Sequence, residues 1–128
     1  MGKQFSLGKS ERLKSRKLTE LLFKEGKKIS QGNLRIYYLI LEDPTPGLLF
    51  GVGVSTKLFK KATERNRIRR LIRESYRLQK NPLKEQTISQ KKQLLIFFVF
   101  NGKEMPAYKE VFENTTKAIT RLIKLTTN

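Results

Sequence analysis

Between Arg65 and Arg73 every charge is positive, and Arg65, Asn66, Arg67, Arg69, Arg70 and Arg73 are all side chains suited to gripping phosphate. A guanidinium fork can bond two phosphate oxygens at once. Asn66 is neutral, offering amide donors and an acceptor that phosphate attraction alone would not require, so it points to a specific contact. The stretch reads as a helix at about 100° per residue. Measured from Ile68, the residues Leu71, Ile72 and Ser75 fall within about 60°, while Asn66, Arg70, Arg73 and Arg77 gather near the opposite pole with Arg69 beside them. Glu64 and Glu74 stand at the edges, where they can pair with Arg. A merely solvated helix gains from interspersed opposite charges; this one instead offers an apolar face for docking and a cationic face for a polyanion.

The chemistry that breaks bonds is harder to find. There is no His, no Cys and a single Asp, Asp43, inside the turn-like stretch Glu42-Asp43-Pro44-Thr45-Pro46-Gly47. Phosphodiester hydrolysis calls for clustered carboxylates around metal ions or for a histidine acting as acid and base. The Glu residues are scattered among basic ones. No catalytic or metal-binding residue is therefore assigned to this chain, and an active site is expected to belong to a partner.

Composition agrees. The 128 residues carry 28 Lys and Arg against 11 Asp and Glu, a formal net charge of +17. Such an excess costs stability through self-repulsion and is offset when each cation displaces counterions from nucleic acid. An anionic membrane is the rival partner, yet no apolar run approaches the roughly 20 residues of a spanning helix. The first residues lack the apolar core of a signal peptide. The absence of Cys fits a reducing cytoplasm, and the length fits one domain over residues 1–128.

The elements that must position the basic helix can be read from periodicity. Residues 1–14 are basic and aperiodic, predicting a flexible arm. A short helix is expected from Ser15 to Glu25 with Leu18, Leu21 and Leu22 on one face and Gly26 ending it. Strands are expected over Asn33 to Leu41 and Leu48 to Ser55, paired as a hairpin. The basic helix spans Ala62 to Leu78. A polar loop with about one helical turn follows from Gln79 to Gln93, and the apolar run Leu94 to Phe100 predicts a central strand covered on both faces. A last helix should begin near Pro106 and reach Leu125, burying Tyr108, Val111, Phe112, Thr115, Ala118, Ile119, Leu122 and Ile123. The result is an α+β fold, an α/β sandwich with helices against a small sheet.

The segment from Phe59 to Arg73, with Arg65-Asn66-Arg67 at its centre, Ala62 upstream and Ile68, Arg70 and Arg73 following, closely resembles the signature of the bacterial ribonuclease P protein component family. Gly51-Val52-Gly53-Val54-Ser55-Thr56-Lys57 looks like the family's strand leading into that helix. Arg12-Leu13 and Phe23-Lys24-Glu25-Gly26 resemble its N-terminal helix region. The resemblance implies the order helix, three strands, helix, strand, helix, with a small mixed sheet, a left-handed βαβ crossover and a ribosomal-protein-like fold. Handedness rules alone predict the opposite crossover.

By the same resemblance, Arg65, Asn66, Arg67, Arg69, Arg70 and Arg73 contact a catalytic RNA, with Lys57, Lys60 and Lys61 as flanking phosphate contacts. A second surface between the sheet and the first helix would hold the single-stranded 5′ leader of precursor tRNA, with Phe23, Tyr37, Arg12 and Tyr108 at matching positions. Unpaired bases stack on aromatic faces while cations hold the backbone. The implied activity is removal of that leader, with Mg²⁺ acting through the RNA partner. Thr19 stands where the family commonly has a second aromatic, and Phe100-Asn101-Gly102-Lys103 stands where it often has more basic residues, which predicts weaker or shifted leader binding. Composition alone equally permits a structural ribosomal-type RNA-binding protein; a second alternative, a DNA-binding regulator with its Arg-rich helix in a major groove, lacks a dimerising heptad beside that helix.

Overall fold

A computed structural model describes residues 11–42 and 46–127. The first ten residues of the expected arm, and Asp43 with Pro44 and Thr45, lie outside the described residues. The elements are α1 (Arg16–Glu25), β1 (Lys27–Gln31), β2 (Leu34–Leu41), β3 (Gly47–Val54), α2 (Ala62–Gln79), α3 (Asn81–Ser89), β4 (Gln93–Phe100) and α4 (Tyr108–Leu125). Among the described residues no helix is long and apolar enough to cross a membrane.

The sheet runs β1-β2-β4-β3. β1 and β2 are antiparallel, as are β2 and β4, whereas β3 and β4 are parallel, joined by a crossover that carries α2 and α3. The expected pairing of β2 with β3 is therefore corrected: β4 lies between them. Its side chains are apolar on both faces, so an interior place, with both edges hydrogen-bonded and both faces covered, removes the most apolar surface from water. β2 instead forms a hairpin with β1, a strand the apolar pattern did not announce because KKISQ alternates only weakly. Gly32 at the first turn position has φ of +58°, which its lack of a Cβ allows and a type II′ hairpin requires.

The two faces of the sheet bury different clusters. Leu34, Ile36, Leu94, Ile96, Phe98 and Phe100 point to the face covered by α2, α3 and α4. Leu95, with Tyr37, Leu39, Leu49 and Phe97, points to the face where α1 lays Leu22 and Leu18. α1 begins at Ser15, whose Oγ accepts from the Leu18 amide at 3.2 Å, a cap that satisfies one of the helix's orphan donors.

Three further expectations change. Residues 11–14 are not part of a flexible arm: Leu13 is buried, its amide donates to the Phe50 carbonyl at 2.9 Å, and Glu11 pairs with the buried Lys80. The polar stretch after α2 contains α3, a helix of nine residues. Pro82 sits in its first turn, where a missing N–H costs nothing, and Leu83 and Thr87, one turn apart, are its buried residues. Finally, α4 starts at Tyr108 after Ala107, and Tyr108 is 40% exposed instead of heading the buried stripe.

Candidate nucleic-acid interface

α2 binds the sheet through Ile68, Ile72, Ser75 and Tyr76, all buried. Tyr76 stacks on Phe50 of β3 with ring centroids 3.7 Å apart. That anchorage turns the opposite face outward, and Asn66, Arg67, Arg70 and Arg73 are exposed. Side chains held by a rigid helix lose less entropy when they bind.

Arg70, Arg73 and Asn66 line one basin of about 410 Å³ together with Arg12, Glu74 and Arg77. Its charges are unequal: four guanidinium groups face one carboxylate. Glu74 is paired with Arg77, Nε to Oε2 at 3.2 Å, and this bond holds the Glu74 carboxyl below its ordinary range. Arg73 is pushed below the usual arginine range by partial burial first, then by the Arg12 and Arg69 charges. A bound phosphate would relieve that crowding, which a solvated surface leaves uncompensated.

The other motif residues divide by task. Arg69 donates to Asn66 Oδ1 at 2.9 Å, which orients the amide and leaves its N–H groups to act as donors. Arg65 turns back from the motif. Its Nη1 donates to the carbonyls of Phe59 and Lys60, each at 2.8 Å, and so closes the loop that enters α2. Within that loop Ser55 Oγ accepts from the amides of Lys57 and Leu58 at 3.2 and 3.3 Å, while Phe59 is buried as the plug. Lys57, Lys60 and Lys61 are thereby left exposed on a braced loop beside the helix.

The α1 face of the sheet holds the second surface. Phe23 packs edge-on against Tyr37 at 4.6 Å and against Phe97 at 5.0 Å, and is still 42% exposed. Phe97 was missed from sequence. Inside a continuous apolar run nothing separates it from Phe98 until the register is known: Tyr37 and Gly51 flank it on β2 and β3. Side chains directly opposite share a face, which also brings Lys28 beside Tyr37 and places Arg35 beside Val99 on this side. Gly51 is needed for space, since a Cβ there would stand 2.6 Å from the Phe97 ring.

Arg12 sits at the seam between the two surfaces. It bridges to Phe50 on the outer edge of β3 and lines both the α2 basin and a smaller hollow of about 200 Å³ with Lys14, Arg73 and Phe97. Tyr108 does not join the cleft. It lies on α4, across the sheet from Phe23, where its ring tilts against Phe112 at 5.9 Å. Val111 and Ala118 commit α4 to the opposite core, so no rotation of the Tyr108 side chain brings it to Tyr37.

The chain matches the family model for ribonuclease P over residues 7–123. It is 35% identical over 121 residues to a ribonuclease P protein component of Porphyromonas gingivalis, spanning 92% of this chain and 87% of that protein. A ribonuclease P protein component of Legionella pneumophila shares 34% over 73 residues, covering 57% of this chain and 62% of that one. The ribonuclease P protein of Thermotoga maritima superposes with a TM-score of 0.68 at 26% identity, covering 87% of this chain and 96% of that structure. The ribonuclease P protein of Staphylococcus aureus has the same fold, with a TM-score of 0.66 at 19% identity over 93% of this chain and all 100% of that one. A shared model over nearly the whole length, a shared fold, and an Arg-Asn-Arg helix held outward from the sheet place this chain in the ribonuclease P protein family.

Proposed function

We infer that this chain is the RNA-binding protein subunit of ribonuclease P, which assists a catalytic RNA in removing the 5′ leader from precursor tRNA in the cytoplasm. The observation that carries the reading is the basin of Arg12, Arg70, Arg73 and Arg77 on a helix whose opposite face is locked to the sheet. The basin takes phosphates of the RNA subunit. The Phe23, Tyr37 and Phe97 cleft takes unpaired leader bases, with Lys28 and Arg35 near the path of the backbone. Arg12 at the seam lets one polyanion pass to the other.

Hydrolysis is assigned to the RNA partner, which holds the Mg²⁺ that supplies Lewis-acid chemistry. Among the described residues no three His, Cys, Asp or Glu side chains lie together as a metal's ligands would, and this reading gives no residue of the chain a ligand's role. The protein's part is to neutralise phosphate repulsion and hold the leader. Family membership argues against a structural ribosomal-type protein as the alternative.

Reconstitution tests the reading. The protein mixed with a bacterial ribonuclease P RNA and precursor tRNA at low Mg²⁺ is expected to restore cleavage that leaves a 5′-phosphate on the mature tRNA. Cleavage by the protein alone would overturn the assignment of chemistry to the RNA, and failure to bind the RNA would overturn the whole reading.

A further inference from the structure

The Tyr108 and Phe112 rings form the floor of a groove of about 610 Å³ on α4, walled by Lys109, Glu113, Thr116 and Lys117. Tyr108 is 40% exposed and Phe112 half-buried, so both rings present area to solvent at a place no core contact needs. The groove adjoins the C-terminal end of α2. Gln79 at the end of α2 donates to the Phe112 carbonyl at 3.3 Å and accepts from the Thr116 hydroxyl, which fixes α4 across the end of that helix. Arg77, in the last turn of α2 two residues before Gln79, lines the arginine basin.

We propose that the Tyr108–Phe112 groove is a second base-binding platform, which stacks an unpaired nucleotide of the RNA subunit whose neighbouring phosphates lie on Arg77 and the arginine basin of α2. This rests on the RNA-binding reading and extends it to a surface on the far side of the sheet from the leader cleft. The occupant follows from chemistry. Aromatic floors with cations at the rim suit a base with its phosphates, since every base offers a π face while its backbone needs counter-charge. Lys109 and Lys117 supply that charge at the rim, and Glu113 between them keeps the groove from being a bare phosphate site. A neutral or basic protein partner would gain nothing from Arg77 and the chain's excess of +17, whereas every RNA gains from both.

The chain contains no Trp, so the Tyr108→Trp variant carries a single indole reporter. Its emission is expected to be quenched when ribonuclease P RNA is added to saturation, and to stay unchanged with a fully paired RNA duplex of equal phosphate concentration. Tyr108→Ala is expected to weaken binding of the ribonuclease P RNA about tenfold, the scale of removing one base stack, without changing the salt slope, because every phosphate keeps its cation. The Tyr108→Trp variant should retain wild-type affinity. If wild-type protein binds and Arg70→Ala weakens it, but Tyr108→Ala binds like wild type or the indole is not quenched at saturation, the platform is overturned while the basin stands. If wild-type protein does not bind that RNA, the RNA-binding reading itself has failed. Emission that changes with protein concentration in the absence of RNA would instead assign the groove to a second copy of the chain and overturn the proposal.

Discussion

Phe50 and Tyr76 lie face to face, their rings 7° from parallel, and this one stack joins the strand beside the Phe23, Tyr37 and Phe97 cleft to the helix that bears the arginines. Phe98 closes on both rings edge-on, at 5.1 and 6.2 Å. Tyr76 is fully buried, so Tyr76→Ala is expected to cost about 3 to 5 kcal/mol, the range for emptying an aromatic from a packed core. Urea unfolding followed by circular dichroism checks it, and RNA affinity measured on the folded fraction should fall as well, because the arginines lose their platform.

The same residue gives a pH test. Burial, and secondarily the Glu11 charge, push the Tyr76 phenol well above its ordinary value of 10. Below pH 10 the phenol is protonated in the folded and unfolded chains alike, and its contribution to stability is complete. As pH rises past 10 the unfolded chain releases this proton and the folded chain does not, so stability falls towards the folded value. Tyr76→Phe is expected to flatten the decline of the urea midpoint above pH 10 relative to wild type. An identical decline in both proteins would show that the phenol is not shielded.

Glu11 and Lys80 make a test of the N-terminal segment. The Lys80 ammonium is buried, with 1% side-chain exposure, against Glu11, which also meets Lys84 at 3.1 Å. Removing one charge of a buried pair costs about 3 to 5 kcal/mol. Glu11→Gln is thus expected to lower the urea midpoint, and adding Lys80→Met should recover part of the loss, because the buried ammonium is then gone. Equal stability of the single variant and wild type would show that the pair is solvated.

The sequence was most legible where a pattern is local. The face of α2 follows from the spacing of Ile68 and Ile72, and the central place of β4 follows from its unbroken apolar run. Strand order was not legible, because pairing depends on which distant strand completes β4, not on which one is next in the chain. α3 was hidden since its inward side amounts to Leu83 and Thr87 in a polar stretch, a pattern too sparse to distinguish from a loop. Tyr108 was misplaced for a related reason: a stripe at helical spacing tells which side of α4 is apolar, but not where the neighbouring helix stops covering it. Arg65 shows the limit at the site itself, for a motif names residue types and cannot say that one guanidinium turns back to bind carbonyls.

Two arginines of the motif should therefore respond differently from a third. Arg70→Ala with Arg73→Ala is expected to weaken binding of ribonuclease P RNA and to flatten the dependence of log affinity on log salt by about one unit for each phosphate left without its cation. Arg65→Ala removes the two bonds to Phe59 and Lys60, so its main effect should be on stability, about 1 to 2 kcal/mol, with a smaller change in slope. Affinity measured across a salt series, alongside thermal unfolding of each variant, separates the two. An unchanged slope for the Arg70 and Arg73 pair would count against phosphate binding there.

The proposed leader cleft is best tested from Gly51, a residue with no side chain to offer RNA. A methyl group there would stand 2.6 and 2.7 Å from two atoms of the Phe97 ring, so Gly51→Ala must push that ring out of its place beside Phe23. Phe97→Ala removes it altogether, and Tyr37→Ala removes its neighbour on β2. All three variants, measured as complexes with ribonuclease P RNA, are expected to bind precursor tRNA carrying a leader several-fold more weakly and to bind mature tRNA as the wild-type complex does. The loss should be largest for Phe97→Ala, about 1 to 3 kcal/mol for one base stack. Equal weakening for both substrates would move these rings from leader binding to the support of the fold, since only a group that touches the leader can distinguish a tRNA that has one from a tRNA that does not.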